Sequence, residues 1–293
     1  MSTALTYRSY AKINLYLDVL SKRRDGYHNI ETIFQSVSLA DEIMFTEQRY
    51  GVTLECTSPE LDTGGSNLAF RAAELLQEAA GCSRGVHIYL KKNIPIAAGL
   101  AGGSGDAATT LIALNNLWEL ELAPAQLRRL GLQLGSDVPY CTSGGTIAAT
   151  RRGEELAPLP FLSNMWFVLA HPPITVSTSR VYHSRKLQCS NAWTFAGRSP
   201  ALRRSIRAIE NRDLAGAIFN RMEEAVFSDH PQLAEIKDRL LEAGCITAAM
   251  SGSGPTLFGV CRSRRHASRV AEHLGEMRTT VVTSVPTAFE RVA

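Results

Sequence analysis

The run GLAGGSGD at residues 99–106 constrains this chain more than any other stretch, since it sets four glycines and a serine between two segments of opposite periodicity. Before it, GVHIYLKKNIP reads as a strand; after it, AATTLIALNNL carries alanine, leucine and isoleucine at helical spacing. A strand-to-helix passage through such a loop lets backbone N–H groups turn inward. The free N–H groups and positive dipole end of the helix start then add to them, an arrangement that suits phosphate oxygens. A tight packing turn is the competing reading. The loop has no G-K-S/T after its glycines and does not follow G-x-G-x-x-G, so neither the P-loop nor the dinucleotide fingerprint applies. Kinase chemistry on this loop would have to recruit its remaining groups from elsewhere in the chain.

Around that unit the chain of 293 residues, 45% hydrophobic, is long enough for one large core or two ordinary ones. Thirty-one Lys and Arg against 28 Asp and Glu leave a net charge of only +3, which argues against nucleic acid or a membrane as the main partner. No apolar run reaches the ~18 residues of a spanning helix, and the start lacks a secretory pattern. Six scattered cysteines form neither a C-x-x-C pair nor zinc spacing, and read as small hydrophobes in a reducing compartment. A cytoplasmic protein is expected. Nothing in the sequence sets its oligomeric state.

The N-terminal part opens as sheet. YAKINLYLDVL is a strand, Arg23–Gly26 a polar turn, and a second strand continues through Ile33, Val37 and Leu39, with further strand-like material to Cys56. A bend at Thr63–Ser66 precedes a helix that Asn67 can cap and Gly81 stops. Pro124 suits the first turn of a later helix, and the stretch Pro158-Leu159-Pro160 interrupts the pattern. MWFVLAHP then reads as a central strand, residues 200–220 and 230–244 as amphipathic helices, 183–200 as a loop, and the rest as strands around the helix HASRVAEHLGEM. This order predicts an α+β chain with two parts, residues 1–160 and 161–293.

Several side chains carry candidate chemistry. Ser104 can offer its hydroxyl to a phosphate or a magnesium ion, whereas Asp106, in the first helical turn, also reads as a helix-end charge. Lys12 is a polar position inside the first strand and Asp137 sits in a G-S-D-V-P turn; a lysine can hold negative charge while an aspartate orients or accepts a hydroxyl proton. Spacing alone does not bring them together, and each also reads as a surface or loop-stabilising charge. The SGSGP turn at 251–255 can press backbone against a cleft, and the D-G-Y-H turn at 25–28 sets an aromatic beside an imidazole, able to stack on and hydrogen-bond a planar base.

Taken in order, KINL at Lys12–Leu15, R-x-D-G-Y-H at Arg23–His28, P-x-x-x-G-L-A-G-G-S at Pro95–Ser104, S-D-V-P at Ser136–Pro139 and S-G-S-G-P-T at Ser251–Thr256 resemble the small-molecule kinases named for galactokinase, homoserine kinase, mevalonate kinase and phosphomevalonate kinase. The resemblance runs nearly end to end. It implies a ribosomal-protein-S5-like N-terminal domain, a ferredoxin-like C-terminal domain, catalysis between them, and transfer of the ATP γ-phosphate to an alcohol with Mg2+. KINL together with DGYH resembles the members whose small-molecule substrate contains cytidine diphosphate. By that resemblance Lys12 and Asp137 form the catalytic pair, Asn14 holds the alcohol portion, His28 recognises the base, and Tyr27 and Tyr182 supply its two stacking faces. Ser66 and Asn67 match the adenosine side. Pro95, Ala97, Ala98, Gly99, Leu100, Ala101, Gly102, Gly103, Ser104, Gly105 and Asp106 match the phosphate side, with Ser104 near the metal. Ala101 and the pair Gly105-Asp106 depart from the more glycine-rich form with Ser-Asn at the helix entrance. Another small alcohol as acceptor, or a noncatalytic ligand-binding protein on this scaffold, are the alternative readings.

Overall fold

A computed structural model describes residues 4–194 and 197–293. Its first two strands, β1 (Ala4–Lys22) and β2 (His28–Gln48), form one long antiparallel hairpin closed by residues 23–27. The pairing carries register shifts at Tyr10/Ala11, Asn14/Tyr16 and Val19/Ser21. Such shifts bend and twist a strand that would otherwise be too long to stay on one core. Strand β3 (Val52–Cys56) runs parallel to β4 (Gly85–Lys91), and the crossover between them carries α1 (Leu68–Ala80), capped by the Asn67 side chain and ended by left-handed Gly81.

The glycine loop leads into α2 (Gly102–Leu117), then come α3 (Pro124–Leu134), the short α4 (Val138–Cys141), β5 (Thr146–Arg151), which pairs with β2, and β6 (Glu155–Pro158). Strand β7 (Trp166–Ala170) begins a second sheet. After α5 (Thr178–His183) the expected loop intervenes before α6 (Pro200–Glu210); residues 195 and 196 of that loop lie outside the described residues.

The single helix expected over 200–220 is three elements: α6, α7 (Leu214–Ala217) and the two-residue strand β8 (Phe219–Asn220), which joins β1 in parallel. Arg212 at φ 58° breaks the helix, and Asp213 restarts it by accepting from the Gly216 N–H at 3.3 Å. Helix α8 (Met222–Asp229) was not anticipated. Next come α9 (Pro231–Glu242), β9 (Ala248–Met250), β10 (Leu257–Cys261), α10 (Arg264–His273), β11 (Thr279–Thr283) and β12 (Phe289–Arg291).

The smaller sheet is antiparallel throughout with order β11-β7-β10-β9, the ferredoxin-like arrangement of a β-α-β-β-α-β chain. The larger sheet has the path β12-β1-β2-β4-β3, with β5, β6 and β8 off it. We propose that the two sheets mark two domains dividing near residue 160, with β12 returning to the first.

One buried cluster joins the sheets: Ile13 and Leu15 of β1 and Ile33 of β2 share it with Phe167 of β7, Phe258 of β10 and Leu202 of α6. That shared core fixes the cleft. No helix among the described residues is long and apolar enough to cross a membrane. Cys141, Cys245 and Cys261 are buried, whereas Cys56, Cys82 and Cys189 are partly exposed and fit the buried-hydrophobe reading less well.

Candidate active site

Lys12 and Asn14 lie two apart on β1 and therefore project from the same face. The Lys12 ammonium is buried and donates to Asn14 Oδ1 and to the Gly99 carbonyl, both at 2.8 Å. Asn14 in turn donates to Thr32 Oγ1 at 2.8 Å, so its amide orientation is set from β2. Asp137 stands just ahead of α4, where an aspartate ordinarily folds back to cap the helix. Here its side chain makes no cap bond, and its carboxylate instead lies 3.8 Å from Lys12 Nζ. The two residues separated by 125 positions in sequence thus meet. Burial holds the Lys12 amine below its usual range, and the charge of Asp137 only partly offsets that.

The glycine loop is laid over this pair. Ala97, Gly99 and Ala101 have φ of 52°, 74° and 57°, and such alternation of backbone hand turns successive N–H groups toward one concave side. Helix α2 begins at once with no side-chain cap, which leaves its first N–H groups open to an anion. At Gly99 no side chain is tolerated: a Cβ would come within 2.2 Å of the Ser251 carbonyl. The second glycine turn therefore packs against the first, with Ser251 Oγ donating to the Gly99 carbonyl at 2.9 Å.

Beneath the loop lies a charge cluster with no separate signal in the sequence. Lys92 pairs with Asp41 and, at 2.8 Å, with Asp106, all three buried. Burial raises the Asp106 carboxyl, and Lys92 opposes the rise. Burial also lowers Lys92, but the two carboxylates outweigh it and leave the ammonium firmly charged. Asp106 Oδ1 has no hydrogen-bond partner. Asp106 is thus a structural ion-pair partner as well as a group beside the glycine loop.

A cavity of 870 Å³ joins these parts and is lined from both sheets' sides of the chain. Lys12, Asn14 and Asp137 line it, as do Ser66, Asn67, Pro95, residues 97–104, Asp106, Tyr27, His28 and Tyr182. Gly105 does not: it faces β1, where a Cβ would sit 2.7 Å from Ser9 Oγ, so its smallness serves helix packing. Asn67 caps α1 through Ala69 N–H at 2.9 Å and donates to the Asp62 carbonyl, while Ser66 Oγ donates to Asp62 at 2.7 Å.

At the other end, His28 and Tyr182 stack on each other with ring centroids 5.0 Å apart and planes 24° apart. Tyr27 lies away from that stack, half exposed, under the Arg152 guanidinium at 3.7 Å. His28 and Tyr182 are therefore closed on each other, and the two tyrosines expected as stacking faces are not held open as a pair. Burial, with Lys22 and His183, depresses the His28 imidazole and keeps it neutral, with one ring donor and one acceptor. Arg152 was missed because a lone arginine at a strand end carries no motif, and Thr178 because nothing marks it in the sequence; it bonds at 2.7 Å to Ser253 of the second glycine turn, which lines the cavity as expected.

Residues 67–145 match the GHMP kinases N terminal domain and residues 200–278 the GHMP kinases C terminal family. A 4-diphosphocytidyl-2-C-methyl-D-erythritol kinase of Moorella thermoacetica is 47% identical over 93% of this chain and 95% of its own length, and one from Synechococcus sp. (strain JA-3-3Ab) is 43% identical over 92% and 89%. Among solved structures, a 4-(cytidine 5'-diphospho)-2C-methyl-D-erythritol kinase superposes with a TM-score of 0.81 at 36% identity, covering 95% of this chain and 98% of that one. A homoserine kinase from Cytophaga hutchinsonii shares the fold, with a TM-score of 0.74 at 16% identity over 99% of this chain and 97% of its own. With its glycine loop, its Lys12–Asp137 pair and relatives that match almost end to end, the chain belongs to the 4-diphosphocytidyl-2-C-methyl-D-erythritol kinase family of the GHMP kinases.

Proposed function

We propose that this protein transfers the γ-phosphate of ATP to the 2-hydroxyl of 4-diphosphocytidyl-2-C-methyl-D-erythritol, giving the 2-phosphate and ADP for isoprenoid precursor synthesis. The observation that carries this reading is the Lys12–Asp137 contact of 3.8 Å in a cavity with a phosphate loop at one end and the His28–Tyr182 stack at the other. Asp137 accepts or orients the proton of the 2-hydroxyl, which attacks phosphorus as the bond to the ADP oxygen breaks. Lys12, fixed by Asn14 and Gly99, holds the carboxylate and the reacting oxygen together. Asn14 steadies the methylerythritol portion.

His28 reads the cytosine edge, and Tyr182 yields the face it now lays on His28. Tyr27 covers the other face, and the Arg152 guanidinium above it is the cavity's cation for the diphosphate. Residues 97–104 receive the ATP phosphates, Ser66 and Asn67 border its nucleoside, and Ser104 and Asp106 would hold a magnesium ion. The Ser104 hydroxyl and the unpartnered Asp106 Oδ1 fit a small hard cation that takes one or two protein oxygens and keeps the rest for phosphate and water. When bound, that ion neutralises charge on the transferring phosphoryl group.

Asp137→Asn tests the roles. Turnover should fall by about two orders of magnitude or more, the scale of a general acid–base group, while calorimetric affinities for ADP and cytidine diphosphate stay within about three-fold. Lost affinity with unchanged turnover would remove Asp137 from the chemistry.

A further inference from the structure

The reacting lysine is covered from the far side by the second glycine turn. A Cβ at Gly252, which has φ +59°, would lie 3.3 Å from Lys12 Nζ, 3.3 Å from the Gly99 carbonyl and 3.5 Å from Asn14 Oδ1. The backbone of that turn is therefore one wall of the pocket that holds the ammonium. Within the turn, Gly254 N–H donates to the Ser251 carbonyl and Ser251 N–H to the Thr256 carbonyl, both at 2.9 Å. Those bonds shape the turn but do not place it against Lys12.

Placement comes from outside. The buried Asn220 carboxamide donates to the Met250 carbonyl at 2.7 Å and to the Gly252 carbonyl at 2.8 Å, while its oxygen accepts from Met222 N–H at 2.9 Å. Three residues on, Glu223 Oε1 accepts from Met250 N–H at 2.8 Å, and its other oxygen takes Lys237 at 2.5 Å. Asn220 itself belongs to β8, which pairs with β1 at Tyr16 and Leu17, and the next residue anchors the segment twice more. Arg221 N–H donates to the Leu17 carbonyl at 2.8 Å and its guanidinium to Asp18 at 2.6 Å. The strand that carries Lys12 and Asn14 is thus tied through Asn220 to the turn that covers them.

We propose that Asn220, supported by Glu223, is a positioning residue that sets the 251–254 turn against Lys12 and so fixes the ammonium relative to the Asp137 carboxylate. This rests on the reading of Lys12 and Asp137 as the reacting pair. Loss of the carboxamide leaves the buried Met250 carbonyl, the part-buried Gly252 carbonyl and the Met222 N–H without their partner, so the turn shifts to find others. A shift of that kind spoils alignment more than ligand affinity, because misplacement of about 1 Å can cost on the order of 100-fold in rate. Aspartate at 220 keeps the shape but supplies no donor to either carbonyl.

The test compares full-length wild type with Asn220→Ala, Asn220→Asp, Glu223→Ala and Glu223→Gln, reading kcat, both KM values and amide hydrogen exchange at Ser251, Gly254 and Thr256. In both Asn220 variants and in Glu223→Ala, kcat should drop at least about ten-fold with each KM within about three-fold, and the three amides should exchange at least about ten-fold faster. Glu223→Gln, whose amide oxygen still accepts from Met250 N–H, should stay within about three-fold of wild type in both readouts. Unchanged exchange in the turn, or a folded Asn220→Ala with wild-type kcat, overturns the proposal. So does a loss in which kcat and both KM values worsen together with a general rise in exchange across β7 and β10, the mark of a merely structural role. Should the wild type fail to turn over the cytidine substrate, the functional reading falls, and the exchange at the three amides still decides whether Asn220 holds the turn.

Discussion

Single side chains set the polarity of this cleft, and two of them give separable predictions. Tyr182 stacks on His28 and also packs against a hydrophobic core cluster that includes Val181 and Met222. Replacing it with alanine should weaken cytidine diphosphate binding by about 1–3 kcal/mol, the usual worth of an aromatic stacking face, with ADP affinity unchanged. Calorimetric titration of both nucleotides checks this, and equal loss for the two would mean that Tyr182 shapes the whole cavity. His171 offers a pH test. Its ring bridges Thr256 at 3.3 Å and Thr280 at 3.1 Å, and burial, reinforced by Arg278, pushes its pKa from 6.5 down to about 4. The unfolded chain takes up that proton near pH 6.5 while the folded protein resists until about pH 4, so the stability is fully present above 6.5 and drains away through that window. Urea unfolding of the wild type at pH 7.5 and pH 4.5 should differ by up to roughly 3 kcal/mol more than in His171→Gln.

Among the elements, the loop between β4 and α2 carries the most constraint. Gly99→Ala would place a methyl 2.2 Å from the Ser251 carbonyl in a left-handed backbone, so it should separate the two glycine turns and abolish turnover. The backbone term alone is about 1–2 kcal/mol, and a thermal melt beside the activity assay separates destabilisation from misalignment. This loop was legible in the sequence because glycine composition is itself the signal. Strand and helix periodicity likewise gave α1, α2, α9 and the strands of the smaller sheet. The break at Asn211–Asp213 was not legible, since Arg212 adopts a left-handed conformation that no residue preference announces, and the apolar spacing runs through it. Lys92 and Asp41 were hidden for another reason: 51 positions separate them, and only the β2–β4 pairing brings them under α2. Tyr27, marked by the DGYH motif, is placed under Arg152, a contact that depends on the return of β5 along β2.

At the scale of the molecule, the cleft persists because one buried cluster belongs to both sheets. Phe258→Ala, which empties its centre, should cost about 3–5 kcal/mol and leave a single cooperative unfolding transition rather than two. Two transitions would mean that the halves are coupled only loosely. The same joining lets the glycine loop, the turn at 251–254 and the Lys12–Asp137 pair face one cavity, the arrangement on which the proposed choice of acceptor rests. The most direct measurement of that claim is magnesium-dependent ADP release with ATP and 4-diphosphocytidyl-2-C-methyl-D-erythritol, run beside mevalonate, homoserine and galactose, with phosphorus NMR of the product. The account predicts turnover confined to the cytidine substrate and a new phosphomonoester on its 2-oxygen. Turnover on one of the other alcohols, with none on the cytidine substrate, would contradict it.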